Sequence, residues 1–316
     1  MTLPEEPRLL FYALGGGTGH FNRAYALARH VKRQLPSVTP LILSSAPIVP
    51  PLLQEGLSLL RLPSVSEHQA AGLDSRWVQT LVLDYQPDVL VVDSHSTGVW
   101  QELPEIFPKL LGKKIFLRRD AQIPEATLPY DLSWLLTPEA DGWLLNRQLD
   151  ELKSRAQALA LLKADPNSPV VLLAHNGPPP ETQAFFLRAY LALQALPLQL
   201  RLVSLVPPGL PELMHLWLSY FPLSELLNGA DLVIGGGGVN LLTECRGFGK
   251  RSLFCAFERP IDQQALRIGP GDLLQWNASP AEWARQISEK LAQTPPEAVN
   301  GDKTRELAAL LAKMLN

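Results

Sequence analysis

The chain has 316 residues, 46% of them hydrophobic and 19% charged, with a formal net charge of −3 at pH 7. That length and apolar content suit two ordinary domains, each with its own core. The near-neutral balance excludes bulk attraction to nucleic acid or to an anionic membrane, and two cysteines, Cys245 and Cys255, are too few for a disulfide framework or a thiolate metal site.

Met1–Pro7 carries Glu5 and Glu6 instead of a basic region and an apolar core, so no signal peptide is expected and the cytoplasm is the expected location. No apolar run approaches the roughly 18 residues of a bilayer span. Arg8–Leu14 predicts a strand, and Phe21–Leu35 a helix with Ala24, Leu27, Ala28, Val31 and Leu35 on one side. Leu41–Ser44 and Leu57–Leu62 predict further strands, and Trp77, Leu81 and Tyr85 share a helical face. Asp88–Asp93 predicts a buried strand, Val99–Leu111 a helix and Lys114–Arg118 a strand. The pattern weakens from Asp141 to Ser168, around a charged helical stretch at Asp150–Lys163. It resumes with a strand at Val170–Ala174, a helix at Thr182–Leu196 and a strand at Gln199–Leu205; "ADLVIGGGG" and "KRSLFCAF" supply later strands. Such alternation predicts α/β architecture: two doubly wound parallel sheets facing each other across a cleft, with ligands beyond the carboxyl ends of the strands. The expected layout is a first domain over 1–146, an interdomain helix or linker over 147–167 and a second domain over 168–316.

Several polar groups fall at strand carboxyl ends: Gly15–His20, Asp93–His95, Arg118–Asp120, His175–Gly177 and Gly235–Gly238. In "LGGGTGHFNRA" the glycines Gly15, Gly16, Gly17 and Gly19 allow a sharp turn or a close approach, and His20 stands where a helix begins. His20 is a candidate base, with phosphate binding or loop capping as the alternatives. Asp93 is either its orienting partner or an ordinary strand-end carboxylate, and His95 and Asp120 are candidate acceptor contacts. In "ADLVIGGGGVNLLTECRGFGK" four glycines precede a helix opening near Val239, where unpaired amides suit a diphosphate. Glu244, a turn further on, is placed for ribose hydroxyls; the alternative is a tight turn with a solvated glutamate. Asp262, Gln263 and Gln264 of "IDQQ" are candidates for sugar hydroxyls. Neither glycine run has the lysine of a P-loop, and His20 occupies the third glycine position of a dinucleotide fingerprint. Arg23, Arg29, Lys32 and Arg33 read as a solvated helix face, with anionic lipid headgroups the alternative; Leu213–Phe221 reads as core. The six histidines have no metal-ligand spacing.

"GGGTGHFNRA" resembles the N-terminal G-x-G-H-x-x-R loop of GT-B glycosyltransferases, and "ADLVIGGGGVNLLTE" followed by "DQQ" resembles the donor-binding half of the MurG type. "PDVLVVDS" extends the likeness to related predicted glycosyltransferases. The resemblance implies two Rossmann-like domains, with the acceptor site in the first and a nucleotide-sugar site in the second. By motif match, Glu244 holds the ribose, the amides of Gly238, Val239, Asn240 and Leu241 with Gly237 hold the diphosphate, and Gln263 and Gln264 with Asp262 face the sugar. Gly17, Gly19 and Asn176 are further candidate donor contacts, and His20 is base or phosphate contact. Two departures stand out: Arg267-Ile268 replaces Asn-Ala of the family's D-x-Q-x-x-N-A, and His175-Asn176-Gly177 replaces a Gly/Ser-rich loop. The implied activity moves a sugar from a nucleotide diphosphate sugar, a UDP-sugar first, to an acceptor that is lipid-linked or a small molecule. Inversion is expected, with no metal, no cofactor, no nucleic acid and at most peripheral membrane contact. A nucleotide-sugar hydrolase and a non-catalytic nucleotide-sugar-binding protein are the alternatives.

Overall fold

The computed structural model describes residues 6–46, 55–64, 67, 75–137, 142–259 and 262–316. The chain divides into two compact units, Met1–Asn146 with Gly301–Asn316, and Arg147–Asn300.

In the first unit β1 (Leu9–Ala13) is buried along its whole length, as a central parallel strand covered on both faces must be. It leads through the glycine loop into α1 (Gly19–Gln34). There follow β2 (Leu41–Ser44), β3 (Ser58–Arg61), α2 (Arg76–Tyr85), β4 (Val89–Asp93), α3 (Leu103–Ile106), β5 (Lys113–Arg118) and β6 (Leu132–Leu135). All pairings are parallel, in the order β3-β2-β1-β4-β5-β6. The order reverses between β1 and β4, which opens the crevice where such sheets bind ligands. Leu10, Tyr12, Leu43, Leu90, Val92 and Phe116 form one core layer. On α2 the fully buried stripe is Val78 and Val82, while Trp77, Leu81 and Tyr85 are half-buried beside it. The helix expected over 99–111 is only the single turn α3 and a 3₁₀ turn at Phe107–Lys109. Pro104 and Pro108 each remove an amide donor, and Gln101 before them takes a left-handed φ of 62°.

The second unit begins with α4 (Arg155–Leu162), capped by Ser154, whose hydroxyl accepts from the Gln157 amide. Then come β7 (Val170–Ala174), α5 (Pro179–Leu193), β8 (Gln199–Val203), β9 (Trp217–Leu218), β10 (Leu232–Gly236), α6 (Val239–Gly247), β11 (Ser252–Cys255) and α7 (Pro280–Ala292). This sheet is also parallel, in the order β11-β10-β7-β8-β9, and reverses between β7 and β10. It repeats the strand permutation of the first sheet, so both units are Rossmann-like. Phe185, Phe186, Ile234 and Trp283 are fully buried in its core. Cys245 and Cys255 are buried too, and burial pushes the Cys255 thiol up to about 12, away from reactivity.

Two boundaries differ from the sequence expectation. The stretch 147–167 belongs to the second unit: Arg155 meets Asp231 at 3.1 Å, and Asn228 donates to the Lys153 carbonyl at 2.7 Å. The last helix, α8 (Thr304–Leu315), belongs to the first unit, not to a second domain running to 316. Its buried Leu307, Leu311 and Leu315 form a stripe on the side that packs against α1. Backbone bonds between Trp143 and both Gly301 (2.8 Å) and Lys303 (3.0 Å) hold it there. No helix among the described residues is long and apolar enough to cross a membrane.

Candidate functional site

The switch point of the first sheet holds His20, at the start of α1, and Asp93, at the end of β4. His20 Nδ1 lies 2.6 Å from Asp93 Oδ2. Arg23, one turn further along α1, grips the same carboxylate from the side, Nε to Oδ1 at 2.9 Å and Nη2 to Oδ2 at 2.7 Å. All three are nearly inaccessible, at 6%, 4% and 2% for His20, Arg23 and Asp93. Burial by itself would raise the Asp93 carboxyl, but Arg23 and His20 outweigh it and hold the group well below the usual carboxylate range. An ionised carboxylate only accepts hydrogen bonds, so His20 Nδ1 must carry the proton, which leaves Nε2 as the acceptor of the neutral ring.

Nε2 lies over Gly15. A Cβ on Gly15 would sit 2.4 Å from Nε2, and φ there is 149°, so only glycine admits the ring. Ser45 braces the same residue, accepting from the Gly15 amide at 3.2 Å and donating to its carbonyl at 2.5 Å. Gly17 has a left-handed φ of 73°, and neither it nor Gly16 has an atom within 4 Å of a built Cβ. Gly19 opens α1, and no side chain caps the helix at Thr18. Ser94 takes a left-handed φ of 66°, a strained turn of the kind that gathers at functional sites. Beyond it His95 stacks on His20 with ring centroids 5.2 Å apart. Burial, then the charges of His20, Arg119 and Arg23, push His95 down to about 4, so it is neutral around pH 7. Asp120 pairs with Arg119 at 3.5 Å and accepts from the Gln122 amide at 3.0 Å.

Of the α1 residues expected on a solvated face, Arg33 is exposed and Lys32 half-buried, but the other two are not solvated. Arg23 and Arg29 are 4% and 5% exposed, because Arg23 lies on Asp93 and Arg29 donates to Glu55 at 3.2 Å. Neither guanidinium is available to a lipid headgroup. The role of Arg23 in the His20–Asp93 pair was hidden in the sequence by the 70 residues that separate Arg23 from Asp93. Its local signal was the i, i+3 spacing from His20, which puts both side chains on one helical face.

The switch point of the second sheet joins the end of β7 to the glycine turn after β10. Each of the first three glycines is held by close packing. A Cβ on Gly235 would meet Leu241 Cδ2 at 2.2 Å and the Ala174 carbonyl at 2.7 Å; on Gly236, the His175 ring at 2.9 Å; on Gly237, Ile268 Cδ1 at 2.6 Å. Gly238 differs: it has an ordinary φ of −66° and nothing within 4 Å of a built Cβ. It is the N-cap of α6, and no side chain caps the helix there. The amides of Val239, Asn240 and Leu241 form the first turn of α6, at the positive end of the helix dipole. Glu244, in the second turn, is 4% exposed.

His175 is held by a relay that sequence reasoning did not find. Its Nε2 lies 2.8 Å from Glu181 Oε1, and Arg259 holds Glu181 in turn, at 2.5 and 2.8 Å. Burial would raise Glu181, but His175 and Arg259 bring it down to about 2. Phe257 packs on the His175 ring, with centroids 4.7 Å apart. Asn176 uses its side-chain oxygen to accept from the Leu205 amide at 2.8 Å, so this oxygen braces its own loop.

Asp262 and Gln264 are engaged by neighbouring groups of the same unit. Gln264 is 7% exposed; its Oε1 accepts from the Phe257 amide at 3.1 Å and its Nε2 donates to Asp262 at 3.3 Å. Arg267 pairs with the other Asp262 oxygen and donates to the Gly237 carbonyl at 3.0 Å. Gln263 alone of the three is exposed. Among the described residues no group of three or more His, Cys, Asp or Glu is placed to hold a metal ion.

Comparison with solved structures gives matches over nearly the whole chain. The Streptomyces sp. SF2575 glycosyltransferase SsfS6 matches 98% of this chain and 96% of its own, with a TM-score of 0.57 and 15% identity. MurG of Acinetobacter baumannii matches 97% and 99%, with a TM-score of 0.51 and 14% identity. The fold is that of the GT-B glycosyltransferases. SsfS6 has also been solved with thymidine diphosphate. The GT-B-like fold does not select one chemistry, since a Listeria monocytogenes protein assigned as a UDP-N-acetylglucosamine 2-epimerase matches 98% and 96%, with a TM-score of 0.58 and 12% identity. No protein-family model and no curated protein sequence matches the chain.

Proposed function

We propose that the protein transfers a sugar from a nucleotide diphosphate sugar, a UDP-sugar first, to an acceptor hydroxyl, with inversion and without a metal ion. The observation that carries this reading is the His20–Asp93 contact of 2.6 Å at a sheet's switch point, which leaves Nε2 free of that carboxylate and aimed over Gly15. In the proposed reaction Nε2 takes the acceptor's proton as its oxygen bonds to the sugar's anomeric carbon. The bond from that carbon to the diphosphate breaks, and its electron pair leaves on a phosphate oxygen. The first-turn amides from Gly238 to Leu241, with the dipole of α6, stabilise that charge in place of a metal. Glu244 is the ribose partner in this reading, and the exposed Gln263 faces the sugar. The solved SsfS6–thymidine diphosphate complex supports a nucleoside diphosphate as the leaving group.

Calorimetric titration with UDP and TDP, in EDTA, tests the donor half. Binding that survives EDTA is expected; binding that requires magnesium or manganese would remove the metal-free site. Gly238→Ala sharpens the test. Its Cβ meets open space at an ordinary φ, so stability should stay within about 0.5 kcal/mol of wild type. A methyl group at the mouth of α6 should nonetheless weaken UDP by about 1.5–3 kcal/mol, the worth of a charge-assisted hydrogen bond. Unchanged affinity would make the fourth glycine a mere turn.

A further inference from the structure

We infer that Arg267 is a positioning residue of the donor site: it cancels the Asp262 carboxylate and clamps the Gly237 carbonyl, so that the diphosphate turn and the segment from Asp262 to Ile268 form one rigid piece. The inference rests on the proposed donor reading.

Three segments meet at this residue. The side chain donates to Gly237 at 3.0 Å and pairs with Asp262, while its own carbonyl accepts from Arg246 of α6 at 2.9 Å. The neighbouring Ile268 and Gln264 press directly on Gly237, where a Cβ would stand 2.6 and 3.2 Å from them. Gly237 immediately precedes the N-cap of α6, so the guanidinium sits beside the amides proposed to take the diphosphate. Asp262 and Arg267 are each 13% exposed, little enough for solvent to screen their charges weakly. Without Arg267, a carboxylate would stand close to the entering phosphates, and like charges so placed oppose binding. With it, the local charge is balanced and the turn is fixed before the ligand arrives. A planar, forked donor can serve both acceptors at once; an ammonium is a single point charge.

UDP titration of Arg267→Met and of Arg267→Met/Asp262→Asn tests this, with circular dichroism and melting confirming the fold. Arg267→Met should bind UDP at least about tenfold more weakly than wild type, the least that a like charge beside the phosphates should cost. Asp262→Asn in the same background should restore affinity to within about threefold of wild type, since neighbouring sites couple. Wild-type affinity in folded Arg267→Met, or no recovery in the double variant, would overturn the inference. Should Arg267→Met fail to fold, Arg267→Lys takes its place: it keeps the charge but not the fork and should bind UDP measurably more weakly, and equal binding would overturn the inference. A wild-type protein that binds neither UDP nor TDP would instead overturn the donor reading, and this inference with it.

Discussion

His20→Ala should lower turnover by about 10²–10⁴-fold, the usual contribution of a positioned base, while leaving nucleotide affinity nearly unchanged. The argument is geometric. The ring lies on Gly15, stacks on His95 and is held by Asp93 through Nδ1, so its removal deletes the proton acceptor together with a buried contact, and the variant is to be assayed well below its melting temperature. Lost UDP affinity with an unchanged maximal rate would turn His20 into a phosphate contact. Near-wild-type turnover in a folded variant would remove it from the reaction altogether.

Asp93→Asn should be the most destabilising single substitution at the site. It leaves Arg23, 4% exposed, without its counter-charge. Breaking one side of a buried ion pair costs about 3–5 kcal/mol, or roughly 6–20 °C in melting temperature for a folding unit the size of the one that holds it. The sign with pH follows from the depressed carboxyl. The folded protein holds Asp93 ionised below its unfolded value of about 3.9, so its contribution is complete above that pH and is lost as pH falls through and below it. The stability gap between wild type and Asp93→Asn should therefore be full near neutrality and close in acid. Turnover should also drop in the variant, measured well below its melting temperature, because an amide no longer forces the proton onto Nδ1. A melting temperature equal to wild type would mean that the Arg23–Asp93 grip contributes nothing to stability.

Much of the scaffold was legible in the residues themselves. β1, β4, β7 and β10 are short, almost wholly apolar runs, and a fully buried parallel strand has no other way to look. The two strand–glycine–helix turns stood out because a run of glycines costs stability wherever it is not needed. What stayed hidden was long-range. Arg23 looked like a solvated helix charge because its carboxylate lies 70 positions away. Gln264 looked like a sugar contact because only the folded loop shows its oxygen accepting from Phe257 and its nitrogen donating to Asp262. Arg267 looked like a flaw in a motif, yet it ties that loop to Gly237. The last helix was assigned to the wrong unit for a related reason: its amphipathic stripe says that it packs, not on which helix.

The central claim, that a sugar moves from a nucleotide to an acceptor oxygen, is tested most directly by following the anomeric carbon. UDP- and TDP-hexoses carrying ¹³C at C1 would be incubated with the protein and a mixed pool of alcohol, phenol, sugar and lipid-linked acceptors, and read by NMR. The account predicts label in a new glycosidic bond, with anomeric configuration opposite to the donor's and one nucleoside diphosphate released per bond. Label that ends in free sugar despite the acceptors, or that stays in a nucleotide sugar epimerised at C2, would contradict it.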